Sequence, residues 1–469
     1  MRKKIDTKGI LLVMWQHLRK YAGRWYVLLG FIAIAKGMDV LAPLFYKRFF
    51  DLMAGEIPST PEALPALLVG TITMVLIIHG GSWLSWRLSS AINLWLQPRV
   101  MADIVQTGHA YLHDNSYKFF SNSFTGSLIR RVNRLARSFE VLADQIQYTF
   151  VPIAITIFGY MIVLWTRSAM LGIILLAWII MYLVLNTAFA FWKTKYDFKA
   201  SQIDSEATGV LADSITNAVT VKLFTGKKFE IDLYKDVTER LRRARSFTWG
   251  LGEVMDSFQG GMMVLIEFVI MYYAIKLWQQ GVLTIGDFAL IQGYLVGLFT
   301  NLWDIGRSIR RTFEAMADAD EMVEILSDPH GVVDRRYAKE LDVQTGRIIF
   351  ENVYFSFNKT RRILKGLDLE IKPGEKVALV GPSGAGKSTI TKLLFRFYDV
   401  ERGKIYLGNQ NIAKVTQESL RANIALVPQE PILFHRTVLE NIRYGRRDAT
   451  DEEVMEAARQ AHADEFIQE

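Results

Sequence analysis

The sequence predicts an all-α six-helix transmembrane domain with long cytoplasmic helix extensions, followed by a partial α/β P-loop NTPase domain. Three observations carry that expectation. Six apolar stretches occupy the earlier part of the chain, lysines and arginines crowd only some of the connections between them, and a G-x-x-x-x-G-K-S pattern begins at Gly381. The chain has 469 residues, more than one domain usually holds. It is 51% hydrophobic yet 22% charged, a mixture that fits two segregated regions better than one uniform core.

Residues 1–24 come first. "MRKKIDTKGILLVMWQHLRK" imitates a signal peptide, but its apolar run is short and no A-x-A site follows. It reads as an amphipathic elbow helix lying on the membrane surface.

The spans follow, at Trp25–Leu44, Leu67–Trp86, Tyr148–Trp165, Ala169–Trp192, Gly260–Leu277 and Phe288–Trp303. Most approach the roughly 20 residues that a helix needs to cross a bilayer, and the last is short. "LGIILLAWIIMYLVLNTAFAFW" carries no charge over about six turns, which a soluble core helix rarely needs.

Orientation follows from the cations. Arg2, Lys3, Lys4, Lys8, Arg19, Lys20 and Arg24 precede span one. Arg99, Lys118, Arg130, Arg131, Arg134 and Arg137 lie between spans two and three, and Lys193, Lys195, Lys199, Lys222, Lys227 and Lys228 between spans four and five. The loop Asp51–Pro65 has none. The N-terminus, both long connections and the Gly381 region are therefore expected in the cytoplasm, in a multi-pass protein of the cell's inner (cytoplasmic) membrane. Lys47 and Arg48, at the far end of span one, are a local exception. The net charge of +7 is on this reading a topology signal. No compact basic patch with interleaved aromatics argues for nucleic acid. The absence of cysteine excludes disulfides and thiolate metal sites.

The connections Arg87–Gln147 and Lys193–Gln259 are too long for idle loops. Their helical spacing predicts cytoplasmic extensions of the spans, paired through short turns. The first turn falls in "NSYKFFSNSFTGSLIRR", which contains Gly126, and the second near "ATGVLADSITNA". Their tips are expected to touch the nucleotide-binding domain.

Within the spans, Lys36 and Asp39 lie three residues apart, close enough to pair on one helix face. Glu267 and His79 are also at membrane depth. Such charges face the interior or a cavity, so Lys36, Asp39 and Glu267 are candidate substrate-cavity residues; a satisfied intrahelical pair is the competing reading. Trp83, Trp86, Phe158, Tyr160, Tyr272 and Tyr273 suit a small amphipathic or lipidic cargo, and equally suit interfacial belts. Residues 25–326 form the expected transmembrane domain, 327–342 a linker and 343–469 the nucleotide-binding part.

In that last part, "EKVALV" predicts a buried strand and "STITKLLFRFY" a helix, with "GPSGAGKST" between them. Glycines let backbone N–H groups turn toward phosphate oxygens at a helix N-terminus. Lys387 is placed to reach the β and γ phosphates, and the Ser388 hydroxyl to bind Mg²⁺.

The chain resembles a bacterial ABC exporter half-transporter of the multidrug and lipid-exporter type. The resemblance is strongest over "LKGLDLEIKPGEKVALVGPSGAGKSTITKLLFRFYDVERGKIYLGNQNI" and "ESLRANIALVPQEPILFHRTVLENIRYG". It implies ATP binding by Gly381, Pro382, Ser383, Gly384, Ala385, Gly386, Lys387, Ser388 and Thr389. It makes Gln429 the Q-loop glutamine, a Mg²⁺ ligand with Ser388, and Phe357 the aromatic under adenine, with Tyr354 as the other register. Gly126, Leu128 and Arg131 fit the first coupling segment, and "LADSITNAVTVKLF" the second. Leu135 stands where an acid is common, and Asp213 and Asn217 replace the usual Glu and Gly.

No aliphatic run ending in Asp-Glu, no LSGGQ-like segment and no switch histidine follows the loop, so no catalytic residue is assigned. The chain is expected to be the earlier part of a longer half-transporter, and to be inactive alone. The complete protein is expected to be an ABC-type ATPase and translocase, using ATP and Mg²⁺ to export or flip an amphipathic, lipidic or drug-like substrate by alternating access. Its partner is a second half-transporter, identical or not. A hydrolysis-incompetent, nucleotide-binding regulatory membrane subunit is the alternative.

Overall fold

A computed structural model describes residues 5–121, 123, 125–303, 305–328, 331–357, 362–382, 384–429 and 431–468. The chain divides into two compact units: Met1–Asp114 with Ser123–Pro329, and Asn115–Asn122 with His330–Glu469.

The first unit is helical. α1 (Thr7–Leu18) starts where the Asp6 carboxylate accepts the Gly9 N–H, an N-cap that satisfies one orphan donor. Its Ile10, Met14 and Leu18 are buried, while Leu11, Leu12 and Trp15 are exposed. Apolar side chains thus lie on both its packed and its exposed side. α2 (Ala22–Met53), α3 (Leu64–His113), α6 (Val151–Arg167), α7 (Ala169–Thr216), α9 (Lys227–Gln279) and α10 (Ile285–Trp303) contain the six spans. All six are long and apolar enough to cross a bilayer. The last continues beyond the expected Phe288–Trp303: its candidate span runs Ile285–Ser327, through α11 (Ile305–Ser327). The added residues are charged on one side and apolar on the other, so apolar content alone does not reveal them. α5 (Thr125–Gln145) leads into α6 through a π-helical turn, Ile146–Phe150.

The extensions are helical as expected. The second break falls at the end of "ATGVLADSITNA". α7 continues to Thr216, and the turn is made by Asn217, the short α8 (Ala218–Leu223) and Phe224–Gly226. Asn217 Nδ2 donates to the Asp213 carboxylate at 2.9 Å and to its carbonyl at 3.0 Å. The two departures from the family pattern thus pair with one another and close the helix end. Leu135 is buried on α5, whose apolar face packs on α11, and an acid there would be desolvated.

The membrane core joins α6, α7, α9 and α10. Trp178, Tyr182, Ile270, Leu290 and Tyr294 are buried together. The buried polar tips find carbonyls: Trp178 donates to Met262 O at 3.2 Å and Tyr294 to Val40 O at 2.8 Å.

Lys47, the exception to the charge rule, is buried and compensated. Its ammonium lies 2.6 Å from Asp51, 2.7 Å from the Thr284 hydroxyl and 3.4 Å from Asp287, and Arg167 lies 3.6 Å from Asp287. Asp51 also accepts the Gly286 N–H at 2.8 Å. A Cβ on Gly286 would stand 2.1 Å from Lys47 O, so the close approach of α2 and α10 needs glycine.

The second unit holds an antiparallel sheet in the order β2-β1-β3-β4, from β1 (Ile348–Ser356), β2 (Arg362–Ile371), β3 (Arg402–Leu407) and β4 (Gln410–Asn411). Phe350 pairs with Leu369 on one side and Ile405 on the other. Phe350, Val353, Phe355 and Ile405 form its core with Leu393 of α12 (Lys387–Leu394) and Leu420 of α13 (Gln417–Ala422). α14 (Val438–Arg443), α15 (Asp451–Gln460) and α16 (Asp464–Gln468) follow, the first two opened by Thr-x-x-Glu capping boxes. α4 (Tyr117–Ser121), the tip of the first connection, belongs to this unit.

One expected strand is not formed. "EKVALV" forms no ladder among the described residues, and Val380 is 93% exposed. The run Ala425–Val427 is likewise unpaired, with Val427 94% exposed. A strand's hydrogen bonds lie between segments, so apolar β-rich sequence is insufficient without a neighbour.

Candidate functional site

The loop from Gly381 to Gly386 turns through backbone that side chains resist. Gly381, Gly384 and Gly386 have φ values of 157°, 83° and 93°. Gly386 caps α12, and a Cβ there would meet Ile363 Cγ2 at 3.1 Å. The α12 N-terminus therefore opens directly behind the loop, where its free N–H groups and dipole favour an anion.

Lys387 begins that helix. Its ammonium donates to Gly381 O at 2.7 Å and Pro382 O at 2.9 Å, which holds the cation across the loop. Ser388 is exposed beside it, and Thr389 is buried under the first helical turn. These residues fit a polyphosphate: a glycine-lined turn, a helix N-terminus and one positioned cation are brought together. Ser383 lies outside the described residues. The helix is shorter than "STITKLLFRFY" suggests. It ends at Leu394, and Arg396 takes the left-handed conformation at φ 49°.

Arg396 is buried, donating to Asp334 at 3.2 Å and to the carbonyls of Val415 and Val333 at 3.1 Å each. Asp399 lies 3.1 Å from its Nε. The desolvated guanidinium therefore has its donors satisfied, and it pins Val333–Asp334 to the end of α12.

Phe357 follows β1 and meets Phe355 and Tyr398 edge-on, at 5.0 and 5.2 Å between ring centroids. Lys392 of α12 stands 5.9 Å over its ring. Tyr354 instead points toward Gly366 of β2, its hydroxyl oxygen 3.0 Å from the Cβ position there. Phe357 thus stands beside the loop's helix, and Tyr354 does not. Gln429 is exposed, and no described hydrogen bond joins it to the loop. Of the acids that follow the loop, Glu430 lies outside the described residues, and Glu440 is engaged in the α14 capping box, where bonds from the Thr437 hydroxyl and backbone hold its pKa below the usual carboxylate value.

Sequence reading did not anticipate how α4 is held. Tyr117 stacks on Phe397 at 4.6 Å and 10°, and Lys392 lies 5.4 Å over its ring. The available signal is the aromatic cluster "FRFY", which the helical spacing of "STITKLLFRFY" assigns to a helix.

In the membrane unit the candidate cavity residues form two separate pairs. Lys36 meets Asp39 at 3.0 Å, and Ser82 donates to Asp39 at 2.7 Å. Glu267 accepts from Gln292 at 2.8 Å. His79 is exposed. An apolar cleft of about 410 Å³ between α7 and α9 is lined by Leu185, Phe189, Trp192 and Phe258 among others.

Residues 25–302 match the family described as "ABC transporter transmembrane region", and residues 364–469 the family described as "ABC transporter". ATP-binding cassette sub-family B member 6 of Xenopus tropicalis is 30% identical over 446 residues, covering 94% of this chain and 52% of that protein. The mitochondrial iron-sulfur clusters transporter ABCB7 of Rattus norvegicus is 29% identical over 478 residues, covering 98% of this chain and 63% of that protein. The chain thus spans between half and two thirds of these relatives. A solved structure described as a bacterial Atm1-family ABC exporter with ATP bound aligns with a TM-score of 0.79 at 29% identity, over 96% of this chain and 78% of that one. The chain belongs to the ABC transporter family, with the exporter-type fold of a half-transporter: a multi-pass membrane region followed by an ATP-binding region.

Proposed function

We propose that the whole protein is an ATP-driven exporter working by alternating access as a dimer in the cytoplasmic membrane. Its N-terminus, long connections and nucleotide-binding region face the cytoplasm. The observation that carries this reading is Lys387, held across a glycine loop at a helix N-terminus in a chain with six spans. In this reading the loop N–H groups and Lys387 grip the β and γ phosphates, and Phe357 stacks on adenine. Ser388 and Gln429 would hold Mg²⁺, which with ATP supplies charge neutralisation for phosphoryl transfer.

A partner subunit is supported by the tip of the second connection, where Leu223 is 74% and Phe224 79% exposed. Such apolar tips are costly unless covered. The cargo is proposed to carry polar groups beside an apolar body. Lys36–Asp39 and Glu267–Gln292 offer charge and hydrogen bonds, and the α7–α9 cleft offers apolar surface. Several relatives are named as iron-sulfur clusters transporters, which favours such a mixed cargo over a purely lipidic one.

The test is ATP-dependent uptake of candidate cargoes into inside-out vesicles holding the whole protein, against Lys387→Ala. Uptake in the native protein alone supports export. Equal uptake, or ATP hydrolysis unaltered by any cargo, overturns it.

A further inference from the structure

Where span one begins, two helices, α2 and α3, bring cations around one indole. The Arg24 guanidinium carbon lies 3.5 Å from the Trp95 ring centroid, and that of Arg99 lies 3.8 Å from it. Two guanidinium groups this close cannot share a face, so the ring is clamped from both sides. Tyr21 packs edge-on against Trp95 at 5.8 Å. Arg99 Nη1 also donates to Trp95 O at 3.2 Å, which fixes the direction of its fork.

The nearby carboxylate is occupied. Asp103 pairs with Lys20 at 3.1 Å and accepts from the Tyr21 hydroxyl at 3.2 Å. Among the described residues no acid pairs with Arg24 or Arg99. Stacking therefore holds two like charges close together without a counter-charge. Arg24 and Arg99 are both exposed at the rim of the ring, and apart from the Arg99 bond to Trp95 O no described hydrogen bond occupies their N–H donors. A phosphate can accept from both: two hydrogen bonds and the group's own width span about 8 Å.

The surroundings distinguish a lipid from a free anion. Val27, one turn into α2, is exposed, and Leu94, the residue before Trp95, is 78% exposed. Apolar surface thus begins where the guanidinium pair ends, at the boundary from which span one starts. Basic pockets against membrane helices select anionic headgroups in this way.

We propose that Arg24 and Arg99, clamped on Trp95, bind the phosphate headgroup of an anionic membrane lipid whose acyl chains lie along Val27 and Leu94. The leaflet assignment, cytoplasmic, rests on the orientation proposed above; the site itself does not.

The test uses the whole protein in vesicles containing photoreactive phosphatidylglycerol or photoreactive phosphatidylcholine, with labelled peptides mapped. Phosphatidylglycerol should label the peptides around Val27 and Leu94 about fivefold or more over phosphatidylcholine. Arg24→Gln with Arg99→Gln should remove that preference, while Arg130→Gln with Arg137→Gln, at exposed arginines elsewhere, should keep it. If the double variant does not fold, Arg99→Gln alone should lose more than half of the preference. Equal labelling by the two lipids, or a preference that survives loss of both arginines, overturns the proposal. Complete competition by millimolar inorganic phosphate also overturns it, because the site would then recognise an anion rather than a lipid. Transport is not the readout, so failure of the exporter reading leaves this result standing.

Discussion

The membrane unit and the nucleotide-binding unit answer differently to the same kind of apolar run. In α7 an uncharged run forms a helix whose backbone hydrogen bonds are all internal to the segment. In the second unit, "EKVALV" and the run at Ala425–Val427 are apolar and β-prone, yet neither joins a ladder among the described residues. The sheet that does form, β2-β1-β3-β4, is antiparallel: β1–β2 and β3–β4 are neighbours in sequence, while β1 finds β3 across α12. A helix can be completed locally, whereas a strand waits for a neighbour supplied from elsewhere.

Predictions can sharpen or break this comparison. The largest effect is expected in the membrane unit, at its buried ions. Asp51→Ala leaves Lys47 and Arg167 facing Asp287 alone and frees the Gly286 N–H, so stability should fall by about 3–5 kcal/mol. Asp103→Ala breaks the more exposed Lys20 pair and should cost about 0–1 kcal/mol. Thermal unfolding of both variants in detergent measures the contrast, and equal losses would contradict it.

Next is Lys387→Ala in the whole protein. Removal of the one cation held across the loop should cut ATP turnover about 100-fold or more, on the scale of losing a preorganised charge-stabilising group. Helical circular dichroism should not change, since the spans do not depend on the loop. Retained turnover would refute the assignment of the loop.

Phe357→Ala should weaken ATP binding by about 1–3 kcal/mol, the scale of base–aromatic stacking. Tyr354→Ala should leave affinity near its native value, because Tyr354 turns toward Gly366 and away from α12. Titration with a fluorescent nucleotide decides between them, and the reverse pattern would show that the other register is right.

Tyr117→Ala removes the stack on Phe397, a contact worth about 0.5–1.5 kcal/mol, and should uncouple ATP turnover from transport more than it lowers turnover. Proteoliposomes that report both rates provide the check; a parallel fall in the two would count against it.

The smallest effect is at Glu440. Its capping bonds lower its pKa from the ordinary value of 4.5. A lowered folded-state pKa stabilises above the unfolded value and is lost as pH falls through the folded one. α14 should therefore fray only in acid below about pH 4.5, and Glu440→Gln should lessen that dependence. Amide exchange at Val438–Arg443 reads it directly.

Most of the membrane architecture was legible in the sequence. Spans and extensions follow from length and periodicity, which are local properties. So does the Lys36–Asp39 pair, because three residues on a helix set its geometry. The glycine loop was legible too, since its glycines and lysine lie within a few positions of one another. The compensation of Lys47 was not, because Asp287 and Thr284 lie far along the chain. Nor was the clamping of Trp95, whose two arginines come from different helices. Nor was the way the second turn closes, where Asn217 ends α7 by bonding back to Asp213, a capping contact that composition does not reveal.

The sequence by itself determined where helices run, which ends carry cations and where a glycine-rich loop opens α12, because each is set by neighbours a turn or a few residues away. Only the tertiary structure decided which buried charges are balanced, which aromatic stands beside α12 and that Tyr117 holds α4 by stacking on Phe397. Those depend on contacts between residues distant in sequence, whose closure entropy no local pattern encodes.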